Sequence, residues 1–123
     1  MLHRAVATLK REHRFSGGAI EQAARALAAC ESARLGSYEI IDQRSRGQVP
    51  GPEASATRFA TVTAERLVAD FVVEHLPEAL AGGDPMLQAH HQRAIVAGIA
   101  SGAAEIQLNL IATELLEMPR EPR

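Results

Sequence analysis

A glutamate near the amino-terminal end is the first side chain of this sequence that could do chemistry. Glu12 lies three residues after Leu9 and so extends a helical face that also contains Leu2 and Ala5. A carboxylate on such a face is partly removed from water and can act as a general base that accepts a proton from a bound molecule. A solvated glutamate at a helix end, beside Arg11, is the alternative interpretation.

A glycine near the carboxyl-terminal end could bring the backbone close to a ligand. Gly102 follows Ser101 and precedes Ala103 and Glu105, at the start of a helical pattern. Glycine allows a tight turn there, after which the first N–H groups of the helix stay unpaired and the positive end of the helix dipole faces outward. Such a helix end suits a phosphate group, although an ordinary helix with a glycine before it gives the same pattern.

Other polar residues give weaker patterns. His90 and His91 are adjacent, so on a helix they point about 100° apart and do not form the i, i+4 pair that binds a metal. We therefore predict a structural or surface role for both and no metal site. Arg44, Arg46 and Arg58 flank a turn and could meet an anion, but scattered arginines are more often solvated or ion-paired.

Length and charge limit the class of protein. The 123 residues are enough for one domain with a single core, and we expect residues 1–123 to form it. The net charge is -2 and the 13 basic residues are spread along the chain, so there is no basic block to bind nucleic acid. The sequence therefore argues against a DNA or RNA partner.

Cysteine use and hydropathy bear on the compartment. Cys30 is the single cysteine and stands in an apolar helical stretch, where a cysteine usually packs as a small hydrophobe. No apolar run approaches the length that spans a membrane, and the first residues do not form a secretion signal. We therefore expect a cytoplasmic protein without a membrane partner.

Apolar residues recur at steps of three and four along every long segment, which indicates helices. The first helix begins near Leu2 and is expected to stop at the glycine pair Gly17-Gly18. Two prolines and two glycines between residues 47 and 52 mark a turn. The later predicted helices cover about Ala19 to Arg46, about Glu53 to Leu76, a short helix from Asp84-Pro85 to about Ala97, and the stretch after Gly102.

The last predicted helix has two apolar stripes, which need two partners. One stripe consists of Ala103, Ile106 and Leu110, and the other of Leu108, Ile111 and Leu115. One partner is the chain's own bundle and the other is a second subunit, since an exposed stripe favours aggregation. The third predicted helix is apolar on more than one face, which indicates burial on both sides. We predict an all-α fold, an antiparallel bundle of about four to five helices that forms a homo- or hetero-oligomer.

The run from Ser101 to Leu116, closed by Met118-Pro119-Arg120, resembles the carboxyl-terminal end of acyl-CoA dehydrogenases. Here a glycine precedes a helix that opens with Glu-Ile-Gln and continues with Asn-Leu-Ile-Ala. The resemblance implies the helical C-terminal domain of that family, an FAD cofactor and an acyl-CoA thioester substrate. It also implies that Ser101, Gly102, Ala103 and Glu105 lie beside the cofactor.

A second run, from Thr8 to Gly18, is similar to the helix that begins this domain in the family. In one branch of the family the glutamate of that helix is the catalytic base, so the resemblance assigns the base to Glu12. Other members place the base directly before the motif glycine. This chain has Ser101 there, which has no useful basicity near neutral pH.

The chain differs from the family pattern at several positions. Ala103 replaces the hydroxyl residue that usually follows the motif glycine, and His13 stands where arginine usually follows the base. The Arg-x-x-x-Phe-Gly segment that helps the family to hold the cofactor diphosphate has no counterpart between Ala26 and Ser37. The domains that cover the flavin and shape the acyl pocket in the family are not contained in these 123 residues.

Two functional hypotheses follow. In the first, the chain contributes Glu12 and part of an FAD site to the dehydrogenation of an acyl-CoA thioester, beside a partner that carries the missing domains. In the second, the chain is a non-catalytic helical oligomerisation module or a remnant of such an enzyme. On both hypotheses we expect the isolated chain to be inactive and to bind FAD weakly or not at all.

Overall fold

The structure is a computed structural model that describes residues 1–99 and 104–119. Within those ranges the chain forms five α-helices and two π-helical turns, and no strand. The helices are α1 (Leu2–Arg11), α2 (Gly18–Ser45), α3 (Glu53–His75), α4 (Pro85–Ala97) and α5 (Ala104–Leu110), and the π-helical turns are Ala79–Gly83 and Ile111–Leu115. No helix in the described ranges is long and apolar enough to cross a membrane. The predicted all-α fold is confirmed.

The prediction that Gly17-Gly18 stops the first helix is wrong. Helix α1 ends at Arg11, and His13 takes a left-handed conformation with a φ of 57°. The N–H of Arg14 then donates to the carbonyl oxygen of Leu9 at 2.8 Å, which satisfies the last turn of α1. A histidine thus closes the helix in the place where a glycine is usual, and Gly17, with a φ of 49°, is the residue directly before α2.

Helices α2 and α3 form an antiparallel hairpin. The turn between them contains Gly47, whose φ of 74° suits the residue that follows a helix end. Near the middle of the hairpin, a Cβ added to Gly36 would lie 2.6 Å from Oγ1 of Thr57. At the far end, Nε2 of Gln22 donates to a carboxylate oxygen of Glu74 at 2.5 Å. Gly36 therefore allows the two helices to approach closely.

Helix α3 is the central element of the bundle and contacts each of the other four described α-helices. Its buried residues lie on more than one face, as the sequence predicted. Phe71 and Val72 are at most 1% exposed and share one core cluster with Leu9 of α1 and Leu87 of α4. Burial of apolar side chains of this size contributes about 1.5–3 kcal/mol each.

Asp84 caps α4, as predicted. Its carboxylate accepts hydrogen bonds from the N–H groups of Met86 at 3.0 Å and Leu87 at 3.3 Å, and Pro85 is the first residue of the helix. Nε of Arg4 in α1 donates to the same carboxylate at 2.5 Å. Arg4, with these N–H groups, holds the pKa of Asp84 below its usual value. The cap therefore also joins α1 to the start of α4.

Helix α5 packs against α3 but has no buried residue. Ile106 is 55% exposed, and Leu108 and Leu115 are 44% and 47% exposed. The chain's own bundle therefore leaves much of the apolar surface of the last helix uncovered.

Candidate functional site

Glu12 is the residue that caps the carboxyl-terminal end of α1. Its side chain is 41% exposed, and Oε2 accepts a hydrogen bond from Nη1 of Arg14 at 2.8 Å. The buried face of α1 ends at Leu9, because the helix stops before Glu12 can continue it. Glu12 therefore lies at an exposed helix end, as in the alternative interpretation, and its role as a base stays a prediction.

Arg14 joins Glu12 to the end of α3. Its guanidinium also donates to the carboxylate of Glu78 and, through Nη2, to the carbonyl oxygen of His75 at 2.6 Å. The hydrogen bond from Arg14 holds the pKa of the Glu78 carboxylate below its usual value.

An open groove of ≈ 280 Å³ runs beside Glu12. It is lined by Thr8, Arg11, Glu12, Leu76, Glu78, Ala79, Gly83, Asp84 and Leu87. Three of these side chains are carboxylates and one is an arginine. Glu12 and Glu78 are paired with Arg14, and Asp84 is paired with Arg4, so the charges around the groove largely cancel.

The predicted cofactor segment falls largely outside the described residues, which exclude Ser101, Gly102 and Ala103. The N–H of Ala104, directly after this segment, donates to the carbonyl oxygen of Gly98 at 2.9 Å. Glu105 lies in the first turn of α5 and is exposed. An acidic residue suits the first turn of any helix, so the position of Glu105 does not by itself indicate a cofactor.

Glu12 and Glu105 lie toward opposite ends of α4. Glu12 lines the same groove as Leu87, in the first turn of α4, whereas α5 begins against Gly98, directly after the last turn of α4. Helix α4 has 13 residues, and a helix of that length extends about 20 Å. The chain therefore does not bring the two residues together, and only an extended ligand could reach both within one copy.

His90 is buried between α3 and α4, with 7% of its surface exposed. Nη2 of Arg93 donates to its Nδ1 at 3.2 Å, and Arg93 also pairs with Glu65 of α3 at 3.3 Å. Burial, and then the charge of Arg93, lower the pKa of His90. The ring is thus a neutral core side chain near neutral pH, which agrees with the structural interpretation. The sequence did not show the ion pair between Arg93 and Glu65, because the two residues lie on different helices.

The other residues singled out in the sequence, Arg46, Arg58 and Cys30, make contacts within the fold. Arg46 pairs with Asp42 at 2.8 Å, and Nη2 of Arg58 donates to the carbonyl oxygen of Ala97 at 2.7 Å. Cys30 is partly buried, and burial raises the pKa of its thiol. Residues 1–99 and 104–119 contain no group of three or more His, Cys, Asp and Glu side chains that could hold a metal ion.

Comparison with known proteins agrees with the helical fold. The family model of the acyl-CoA dehydrogenase C-terminal domain matches residues 1–116. No curated protein and no solved structure matches the chain. Because the match covers nearly the whole sequence, the chain belongs to the acyl-CoA dehydrogenase family, within which it corresponds to the C-terminal domain.

Enzymes of this family generally use FAD. The described residues form open grooves, whereas a ligand as large as FAD is usually buried over most of its surface. Glu105, the one predicted cofactor residue that is described, has an exposed carboxylate, which cannot donate hydrogen bonds to phosphate groups. The described residues alone therefore do not fit FAD.

Proposed function

We propose that this chain supplies the C-terminal helical part of a cytoplasmic, FAD-dependent acyl-CoA dehydrogenase that acts on the CH–CH group of an acyl-CoA thioester. The family match over residues 1–116 carries the proposal. A partner supplies the domains that enclose the flavin and the acyl chain, because the described grooves of this chain are too open to do so.

Exposed apolar side chains at the end of α4 and on α5 support the need for a partner. Ile95, Val96 and Ile99 are 61%, 51% and 74% exposed, and Ile106 and Leu108 are 55% and 44% exposed. Apolar surface of this kind usually marks a contact with another protein. We expect a homo- or hetero-oligomer in which this surface is covered.

In the proposed enzyme Glu12 is the general base that removes the α-proton of the thioester. A flavin held in the complete site would supply the hydride acceptor for the β-carbon. Arg14 keeps Oε2 of Glu12 in a hydrogen bond and so fixes the direction of the carboxylate. Docking of the partner over the groove beside Glu12 excludes water from it, which this chain does not do alone.

A non-catalytic helical oligomerisation module, or a remnant of such an enzyme, is the second candidate function. The open grooves of the described residues favour it, because they enclose neither a flavin nor an acyl chain. In this function the exposed apolar surfaces serve association and no residue of the chain takes part in chemistry.

Reconstitution distinguishes the two functions. The chain is co-expressed with a second chain that carries the flavin- and substrate-enclosing domains of the family, and the purified complex is assayed with acyl-CoA thioesters and a dye that accepts electrons. Turnover that requires both chains supports the dehydrogenase. A stable complex without flavin and without turnover supports the non-catalytic module.

A further inference from the structure

A second groove, here called the α1–α2 groove, lies on the opposite side of α1 from Glu12. It has a volume of ≈ 240 Å³. Its apolar lining consists of Leu2, Val6, Phe15, Ala23, Ala24 and Leu27. The groove beside Glu12 shares no residue with it and uses Thr8 and Arg11 of α1 instead. The α1–α2 groove is therefore a separate surface of the molecule.

Small side chains of α2 keep the α1–α2 groove open. Ala23 is 7% exposed and Ala24 is exposed, whereas the other apolar lining residues are larger. A water molecule takes about 30 Å³, and a methylene group is of similar size, so the groove has room for about eight carbon atoms. A larger side chain at position 24 would fill part of this space.

Lys10 brings a positive charge to the apolar lining. Its Nζ lies 5.4 Å from the ring centre of Phe15, and both residues line the groove. A cation is attracted to the face of an aromatic ring, which holds the ammonium beside the groove. Lys10 makes no ion pair within residues 1–99 and 104–119, whereas six arginines there do: Arg4, Arg14, Arg25, Arg34, Arg46 and Arg93. The charge of Lys10 is therefore available to a ligand.

The α1–α2 groove is longer than the charged end. Leu2 and Lys10 line it eight positions apart on α1, which is about 12 Å of helix. The groove thus combines an apolar length with a cation near one end. This arrangement is complementary to a linear molecule that has an apolar tail and a negatively charged head.

We propose that the α1–α2 groove binds a free linear carboxylate of about eight carbon atoms, with the tail along Val6 and Ala24 and the carboxylate beside Lys10. A concave groove between two helices takes a single tail, whereas binding to a membrane surface needs apolar side chains that project outward. The site uses no residue of the groove beside Glu12 and does not depend on the catalytic function proposed above.

Calorimetric titration of the full chain with carboxylates, below their micelle concentrations, tests the class of ligand. Octanoate should bind with one site for each chain. The Kd should fall about two- to fourfold for each methylene added between hexanoate and decanoate, because each is removed from water, and should then level off as longer tails pass the end of the groove. Octylammonium has the same tail and the opposite charge, so it should bind at least about 10-fold more weakly. No saturable binding of octanoate, or equal affinity for octylammonium, would overturn the proposal.

Paired variants test where the carboxylate binds. Ala24→Leu should fill the groove and raise the Kd for octanoate at least about 10-fold, whereas Ala28→Leu, at an exposed alanine of α2 outside the groove lining, should leave it within about threefold. Lys10→Glu replaces attraction by repulsion and should also raise the Kd at least about 10-fold, while Lys10→Arg keeps the charge and the affinity. Circular dichroism checks that the helices are kept. Binding that neither Ala24→Leu nor Lys10→Glu weakens, or that Ala28→Leu weakens as much, would contradict the site.

Vesicles of phosphatidylglycerol separate a free carboxylate from an anionic membrane surface. When such vesicles are sedimented, the full chain should stay in solution, because the groove does not project apolar side chains. Sedimentation of the parent chain with the vesicles that Lys10→Glu abolishes would assign the groove to a membrane and overturn the proposal.

Discussion

At the scale of single residues, Arg14 fixes the position of the candidate base, Glu12. Its guanidinium contacts Glu12 on one side, and Glu78 and the carbonyl oxygen of His75 on the other. The resemblance identified Glu12 from the sequence. The contact between Arg14 and Glu78 could not be predicted, because these two residues are 64 positions apart in the chain. The local motif therefore gave the identity of the candidate base, and tertiary packing gave its surroundings.

Replacement of Glu12 by glutamine tests the assigned base. In a reconstituted complex, Glu12→Gln should keep the fold and the assembly because the two side chains are nearly isosteric, but it removes the oxygen that accepts the α-proton. General-base catalysis contributes about 10²- to 10⁴-fold in rate, so kcat should fall by that factor while substrate binding changes little. Ser101→Ala is the control and should cost much less. Full activity of Glu12→Gln would assign the base to the partner chain.

Replacement of His90 by glutamine tests the buried neutral ring. The pKa of His90 is lowered in the fold, so below about pH 6.5, its usual value, the unfolded chain binds a proton that the folded chain does not. The free energy of unfolding should therefore decrease as the pH falls from about 7 to about 5. Urea unfolding should show a smaller decrease for His90→Gln than for the parent chain. Equal pH dependence of the His90→Gln variant and the parent chain would contradict the assignment.

At the scale of the helices, strong periodicity and clear breakers predicted most elements. The turn at residues 47–52 and the cap at Asp84 were predicted correctly, because proline, glycine and an N-terminal aspartate act through local geometry. The end of α1 was predicted wrongly, because His13 adopts a left-handed conformation, which is uncommon for residues other than glycine. The close approach of α2 and α3 at Gly36 also depends on Thr57, a residue of a different helix.

A double-mutant cycle at Gly36 and Thr57 tests this approach. Replacing a helical glycine with alanine raises the free energy of unfolding by up to about 1 kcal/mol. At position 36, however, the added Cβ would lie 2.6 Å from Oγ1 of Thr57. Gly36→Ala should therefore stabilise the chain by about 1–2 kcal/mol more in a Thr57→Ala background than in the parent chain, measured by urea unfolding. Gly18→Ala, which meets no atom within 4 Å, is the control and should not depend on Thr57. Additive effects at Gly36 and Thr57 would contradict the contact.

At the scale of the whole molecule, the all-α fold class could be predicted from the sequence. Whether this chain alone forms a complete catalytic site could not. Periodicity predicts which face of a helix is apolar, but the surface that covers the exposed faces of α2, α4 and α5 is not encoded in local patterns. The cofactor residues Ser101, Gly102 and Ala103 lie outside the described residues, so their role stays a prediction from the resemblance.

The isolated chain should not retain flavin. Its described grooves are open, and the described candidate Glu105 is an exposed carboxylate, so this chain alone cannot enclose FAD. Protein purified without a partner should be colourless, with no flavin absorbance after gel filtration. Retention of stoichiometric yellow flavin by the chain alone would contradict this expectation.

The most direct test of the proposed function is the flavin content of the complex. The chain and a second chain that carries the flavin- and substrate-enclosing domains of the family are co-expressed, and the flavin absorbance of the purified complex is measured before and after addition of an acyl-CoA thioester. The proposal predicts one FAD for each pair of chains and loss of the oxidised flavin absorbance when the thioester is added without an electron acceptor. A stable complex that holds no flavin, or a flavin that acyl-CoA does not reduce, would contradict it.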